Sequence, residues 1–114
     1  MPQRPVNAHD AYHAHIYFGP ETVEQARALA EETGRLFKVQ VGRVHVRPVG
    51  PHPAWSVQVA FARDQFDRLI PWLDEHRKGL DILVHGLSGD VLADHTTYAY
   101  WLGNDWPLDL TALN

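Results

Sequence analysis

The sequence predicts an α+β domain of the split-βαβ, ferredoxin-like kind: a four-stranded antiparallel sheet with two helices on one face and an aromatic C-terminal extension. Three observations carry this. Hydrophobic periodicity runs strand, helix, strand, strand, helix, strand. Gly19-Pro20, the stretch from Pro48 to Pro53 and Gly79 break the chain between those segments. The 114 residues are enough for one two-layer core and too few for two domains.

Residues 1–10 are polar, hold two prolines and read as a flexible lead-in, with His9 in solvent; residues 11–114 form the single domain. The first strand is Tyr12-His13-Ala14-His15-Ile16-Tyr17-Phe18. Alternation puts His13, His15 and Tyr17 on one side and Ala14, Ile16 and Phe18 on the other. Pro20 suits a first helical turn, Glu21 and Glu24 suit the positive end of the dipole, and Val23, Ala26, Leu29, Ala30, Thr33 and Leu36 recur at helical spacing. From Phe37 to Arg47 the chain alternates again, Val39, Val41, Arg43, His45 and Arg47 sharing a side. Three prolines between Pro48 and Pro53 make a stiff loop that presents His52 in a fixed direction.

Trp55 to Phe61 is the third strand, with Ser56, Gln58 and Ala60 opposite its apolar side. The second helix is expected from an Asp64 N-cap to Lys78, with Gly79 as its stop and a kink or restart at Pro71. Asp81 to His85 is short, apolar and β-branched, a central strand. The tail from Ala93 to Leu110 is too aromatic to float free, and Leu108-Asp109-Leu110 suits a further edge strand.

A net charge of -4, with ten basic residues and none of them clustered, argues against a nucleic-acid surface or a membrane anchor. No apolar run approaches the ~20 residues that span a bilayer, and no signal-peptide core opens the chain, so a cytoplasmic protein is expected. Cysteine is absent, which excludes disulfides, thiolate metal sites and cysteine nucleophiles. Any metal must therefore sit on nitrogen and oxygen.

In the split-βαβ topology the first strand lies between the third and fourth. His13 and His15 then neighbour His85 on the face without helices, with Gln58 and His45 close by. Three neutral imidazoles suit a divalent first-row ion, iron or zinc, and leave positions for water, oxygen or substrate. The bland alternative is a set of polar side chains on a solvated sheet face. His52 is a candidate acid/base group or a further ligand; otherwise it is an exposed loop histidine. Asp94-His95 could complete a two-His-one-carboxylate set, orient a ligand, or form a surface pair. Arg43 and Arg47 could clamp a substrate carboxylate or merely be solvated. His76 offsets the dipole at the end of its helix. Tryptophans such as Trp101 are core first and pocket wall second.

The blocks Tyr12–Phe18, Gly42-Arg43-Val44-His45, Pro48–Pro53, Gln58–Phe61, Pro71-Trp72-Leu73, Leu83-Val84-His85, Asp94-His95-Thr96 and Trp101-Leu102-Gly103 resemble, in this order, the DOPA 4,5-dioxygenase family. The resemblance implies a small ferredoxin-like homodimer that opens catechol rings such as that of L-DOPA in extradiol fashion, with molecular oxygen at non-haem iron(II). His13, His15, His52, His85 and His95 all fall in these blocks, which favours a functional reading for each, with His13, His15 and His85 the metal ligands that the strand order suggests. His52, with His95, would be the catalytic proton carrier. Arg43, Arg47, Tyr17 and Trp101 would contact the substrate. Val46 departs from the pattern, standing where an acidic residue follows the histidine in many relatives. The alternative from another class is a non-catalytic dimeric module that binds a metal or a small aromatic compound.

Overall fold

The computed structural model describes residues 5–113. Its elements are β1 (Ala11–Phe18), α1 (Val23–Phe37), β2 (Gln40–His45), β3 (Trp55–Ala62), α2 (Arg63–His76), β4 (Ile82–Gly86), α3 (Val91–Asp94) and β5 (Ala99–Leu102), followed by a 3-10 turn at Leu110–Leu113. The sheet is antiparallel throughout, in the order β2-β3-β1-β4-β5. The ferredoxin-like frame is therefore present with one strand more than expected. That fifth strand is Ala99–Leu102, fully buried against β4. Leu108-Asp109-Leu110 is not a strand: Asp109 donates its N–H to the Pro51 carbonyl, and a 3-10 turn follows.

Alternation along β1 divides the molecule into two apolar clusters. Tyr12, Ala14, Ile16 and Phe18 join Val57, Val59, Ile82 and Val84 beneath Leu29 and Ala30 of α1 and Leu69 and Leu73 of α2. The face without helices carries a smaller cluster of Tyr17, Leu83, Ala99 and Trp101, closed by Ala54 and Leu108. The tail reaches this face because Asp81 accepts from the Asn104 N–H at 2.8 Å and from Trp106 Nε1–H at 3.0 Å.

Several local expectations are corrected. β2 contains a bulge: Val41 pairs with Val59, yet Val44 pairs with Val57. The extra residue reverses the alternation, so Val39, Val41 and Val44 all pack on the helix side, and His45, opposite Ser56, faces the other way. Pro20 precedes α1, whose N-cap is Thr22, and Leu36 is exposed where Phe37 packs. α2 runs uninterrupted through Pro71. The carbonyl that Pro71 leaves without a donor belongs to exposed Asp67, where water can replace it. The helix begins at Arg63 rather than after Asp64, with Gln65 Oε1 accepting from the Ala62 N–H. It ends at His76, and Lys78 and Gly79 take positive φ.

Residues 1–4 of the expected lead-in lie outside the described residues. The rest is tied down, because the N–H groups of Ala8 and His9 both donate to the Tyr12 hydroxyl, at 2.7 and 2.8 Å. His9 is half-buried rather than solvated, its ring edge-on to Tyr12 and Tyr98. That ring occupies the space a Cβ would need at Gly86. Gly86→Ala is therefore expected to cost roughly 1–3 kcal/mol by overpacking, read as a lower melting temperature. Pairing it with His9→Ala should restore most of the loss; no restoration would mean that the strain lies in the backbone.

Candidate metal centre

His13 and His85 are direct cross-strand partners in β1 and β4, and His15 follows on the same side of β1. Their ring centroids stand 5.1–5.8 Å apart. The Nε2 atoms of His15 and His85 approach to 3.1 Å. One ligand nitrogen from each of the three histidines lies within 4.8 Å of the others, so the group could hold a metal ion. Two nitrogens bound to one first-row ion at about 2.1 Å would sit roughly 3.0–3.4 Å apart, so the His15–His85 pair needs little adjustment. The donor set, three imidazoles with His15 and His85 buried, is nitrogen only.

Tautomers support the same reading. His85 Nδ1–H faces the Gly86 carbonyl at 3.0 Å, which leaves Nε2 its lone pair. His95 Nδ1–H faces the Val91 carbonyl at 2.8 Å, which frees its Nε2 likewise. The His95 ring lies 4.3 Å from that of His85, and the His52 ring 4.1 Å from that of His15. The proline-rich loop thus delivers His52 inward, buried, with Nδ1 at 2.8 Å from the Tyr17 hydroxyl.

Burial above all favours the neutral form of His13, His15, His52 and His85. Burial, reinforced by His52 and His85, holds His15 well below the usual histidine range. Burial first, then His95 and His45, pushes His52 down to about 4. His85 is also pushed to about 4 by burial, against the opposing pull of its Gly86 bond and Asp94. Burial and His95 lower His13. Burial drives the Tyr17 phenol well above its ordinary range, so it stays protonated. The unfolded chain takes up protons near 6.5 while the folded one refuses them until about 4. Metal-free protein is therefore expected to keep constant stability above about pH 7. Its melting temperature should fall by on the order of 10 °C as pH drops from 6.5 toward 4.5. A flat profile across that window would show the rings to be solvated.

The other expected site residues are distributed unevenly. Asp94 is buried, but its carboxylate accepts from the N–H and Oγ–H of Ser88, the latter at 2.6 Å, and so ties the 87–90 turn instead of joining the three histidines. Trp101 is buried, edge-on to Tyr17 at 5.6 Å. Arg43 and Arg47 are exposed, with no hydrogen bond or ion pair among the described residues. His76 donates Nδ1–H to the Trp72 carbonyl at the end of α2. Two features escape a reading by simple alternation. One is the Tyr17–His52 bond; the other is the bulge that turns His45 toward the site, for which Gly42 within a strand is the available signal.

A ferredoxin-like sheet with a cluster of imidazoles on its helix-free face defines the class: a small domain with three histidines that could hold a metal ion. Comparison with known proteins narrows this. Residues 12–112 match the model of the Dopa 4,5-dioxygenase family, and the chain belongs to that family. An uncharacterised 21.2 kDa protein of Botryotinia fuckeliana is 38% identical over 113 residues, which cover 89% of this chain and 62% of that protein. The DOPA 4,5-dioxygenase of Amanita muscaria is 32% identical over 90% of this chain and 49% of its own length. The chain thus spans 62% and 49% of the length of these two curated relatives. The crystal structure of a Nostoc punctiforme protein described as a candidate dioxygenase superposes with a TM-score of 0.88 at 44% identity, covering 91% of this chain and 90% of that one. No helix among the described residues is long and apolar enough to cross a membrane.

Proposed function

We propose that the chain is an extradiol ring-cleaving dioxygenase acting on a catechol, with non-haem iron(II) held by His13, His15 and His85. The observation that carries this reading is the pair of buried Nε2 atoms 3.1 Å apart, with His13 beside them, in a family whose Amanita member is a DOPA 4,5-dioxygenase. When bound, iron(II) supplies the redox chemistry that joins dioxygen to the ring.

The chain's own residues supply the rest. His13, His15 and His85 would hold the ion through one ring nitrogen each. Neutral at pH 7, His52 accepts a phenolic proton at Nε2 while Nδ1–H points to the Tyr17 oxygen, and later returns it. His95, within 6.4 Å of His52 by ring centroids, is a second proton carrier on the opposite flank. The Tyr17 ring and Trp101 exclude water from one wall. Arg43 and Arg47, at the rim, are proposed to draw in acidic substrates rather than to clamp them. A second copy of the chain covering the exposed part of this face is part of the proposal.

The test is an anaerobically purified, iron(II)-loaded sample given L-DOPA, catechol and acidic catechols. Oxygen uptake with a yellow ring-opened product is expected. Metal bound without turnover on any catechol would overturn the reading and leave a binding module.

A further inference from the structure

The chain beyond β5 crosses the helix-free face and touches both segments that carry the candidate proton carriers. It turns at Gly103, where φ is +91° and a Cβ would meet Asp81 Oδ1 and Arg77 Nη1. The Asp81 carboxylate then holds the chain at two points, the Asn104 N–H and Trp106 Nε1–H. The Trp106 ring stands edge-on to Tyr17 at 5.5 Å, and Leu108 packs on the apolar cluster of that face. Next, the Asp109 N–H reaches the Pro51 carbonyl at 2.9 Å. The turn at Leu110–Leu113 packs against α3, the helix that ends one residue before His95.

The Asp109 bond falls on one particular peptide unit. The Pro51 carbonyl and the His52 N–H belong to the same plane. Its oxygen accepts from the tail, and its N–H donates to the Val49 carbonyl at 3.0 Å within the loop. A peptide held at both edges fixes the backbone from which the His52 side chain leaves. The same loop borders a recess of about 220 Å³ beside the three histidines, lined also by His15, His45, Ser56 and Gln58. Tyr17, the partner of His52 Nδ1, is itself braced by Trp106. A mere cover for apolar surface requires none of these polar ties. We propose that residues 103–113 form a strap that positions His52 and, through α3, His95, with Asp81 and Asp109 as its positioning residues. The inference rests on the dioxygenase reading and deepens it by naming what holds the proton carriers. Proton transfer needs a ring nitrogen within hydrogen-bond reach of the substrate, so slack in the strap lowers rate rather than binding.

The test compares Asp109→Pro with Asp109→Ala. Both lose the carboxylate that accepts from Thr111, and only the proline variant also loses the N–H that holds Pro51. In the iron-loaded enzyme, kcat of Asp109→Pro should lie about 10–100-fold below that of Asp109→Ala, with KM and iron content alike in the two. A second readout needs neither metal nor turnover. In metal-free protein the His52 amide should exchange with deuterium about tenfold faster in Asp109→Pro than in Asp109→Ala, the effect of one hydrogen bond on local opening. The amides of His13, His15 and His85 should not differ, which checks that the sheet is intact. If Asp109→Pro fails to fold, the same two measurements are made on Asp81→Ala, which frees Asn104 and Trp106. Asp81→Asn, which keeps an oxygen acceptor, should recover part of the loss. Equal kcat or equal His52 exchange within the pair compared would overturn the assignment and leave the tail a cover for the apolar cluster. No turnover by the wild-type enzyme on any catechol would count against the dioxygenase, and the His52 exchange alone would then decide whether the tail holds the loop.

Discussion

His15→Ala is expected to abolish stoichiometric metal retention and to reduce oxygen uptake to the level of free iron. His15 is buried among the rings of His13, His52 and His85, and its Nε2 stands 3.1 Å from that of His85. Its removal leaves two nitrogens on adjacent strands, and among the described residues no carboxylate joins the group, Asp94 being bound to Ser88. Affinity should fall at least about 100-fold, more than the 10–100-fold typical of losing a residue that only orients a ligand. His85→Ala should behave alike. His45→Ala, which alters the neighbouring recess, should retain its metal. Elemental analysis after anaerobic desalting reads the difference, with circular dichroism checking the fold. Full occupancy in both ligand variants would move the centre elsewhere.

The second large effect is expected from His52→Asn. Here the metal should stay and kcat should fall by roughly 10²–10⁴, the usual worth of a positioned proton carrier. The distinction from His15→Ala is therefore loss of rate with the ion still bound. Tyr17→Phe should give a smaller loss. Removing the hydroxyl leaves a buried His52 Nδ1 without its 2.8 Å partner, a cost of about 1–3 kcal/mol that the ring can partly relieve by turning. In the wild type the rate should fall as acid protonates the carrier, and in His52→Asn that acid limb should vanish. A variant that kept both rate and limb would assign the proton transfer to His95.

Most of the frame could be read from residues alone, because strand alternation and helical periodicity act locally. Tyr12 to Phe18 divides cleanly between two faces, and β1 lies between β3 and β4 as the split-βαβ order requires. The meeting of His13 with His85 follows from that order plus one register. What escaped depends on events that periodicity does not record. A single extra residue near Gly42 reverses the face of His45, and strict alternation cannot signal it. Pro71 was expected to kink α2 or to restart it, and the helix continues through it without a restart, the carbonyl left without a donor belonging to exposed Asp67. The fifth strand is short and aromatic, and its identity rests on pairing with β4 rather than on its own four residues. Asp94 offered three readings, as part of a metal set, as the orienter of a ligand or as a surface pair, and it is instead a buried carboxylate bound to Ser88. The Tyr17–His52 bond joins positions 35 apart through a loop whose direction sequence leaves open.

The two strands that carry the three histidines are both interior. β1 is flanked by β3 and β4, and β4 by β1 and β5. Their amides can meet deuterium only when the whole domain opens, so exchange at His13, His15 and His85 should track the global unfolding free energy. His52 sits on a loop and His95 follows a four-residue helix, where far cheaper openings suffice. The molecule thereby sets its candidate ligands on the most protected backbone it has and its candidate proton carriers on segments outside the sheet.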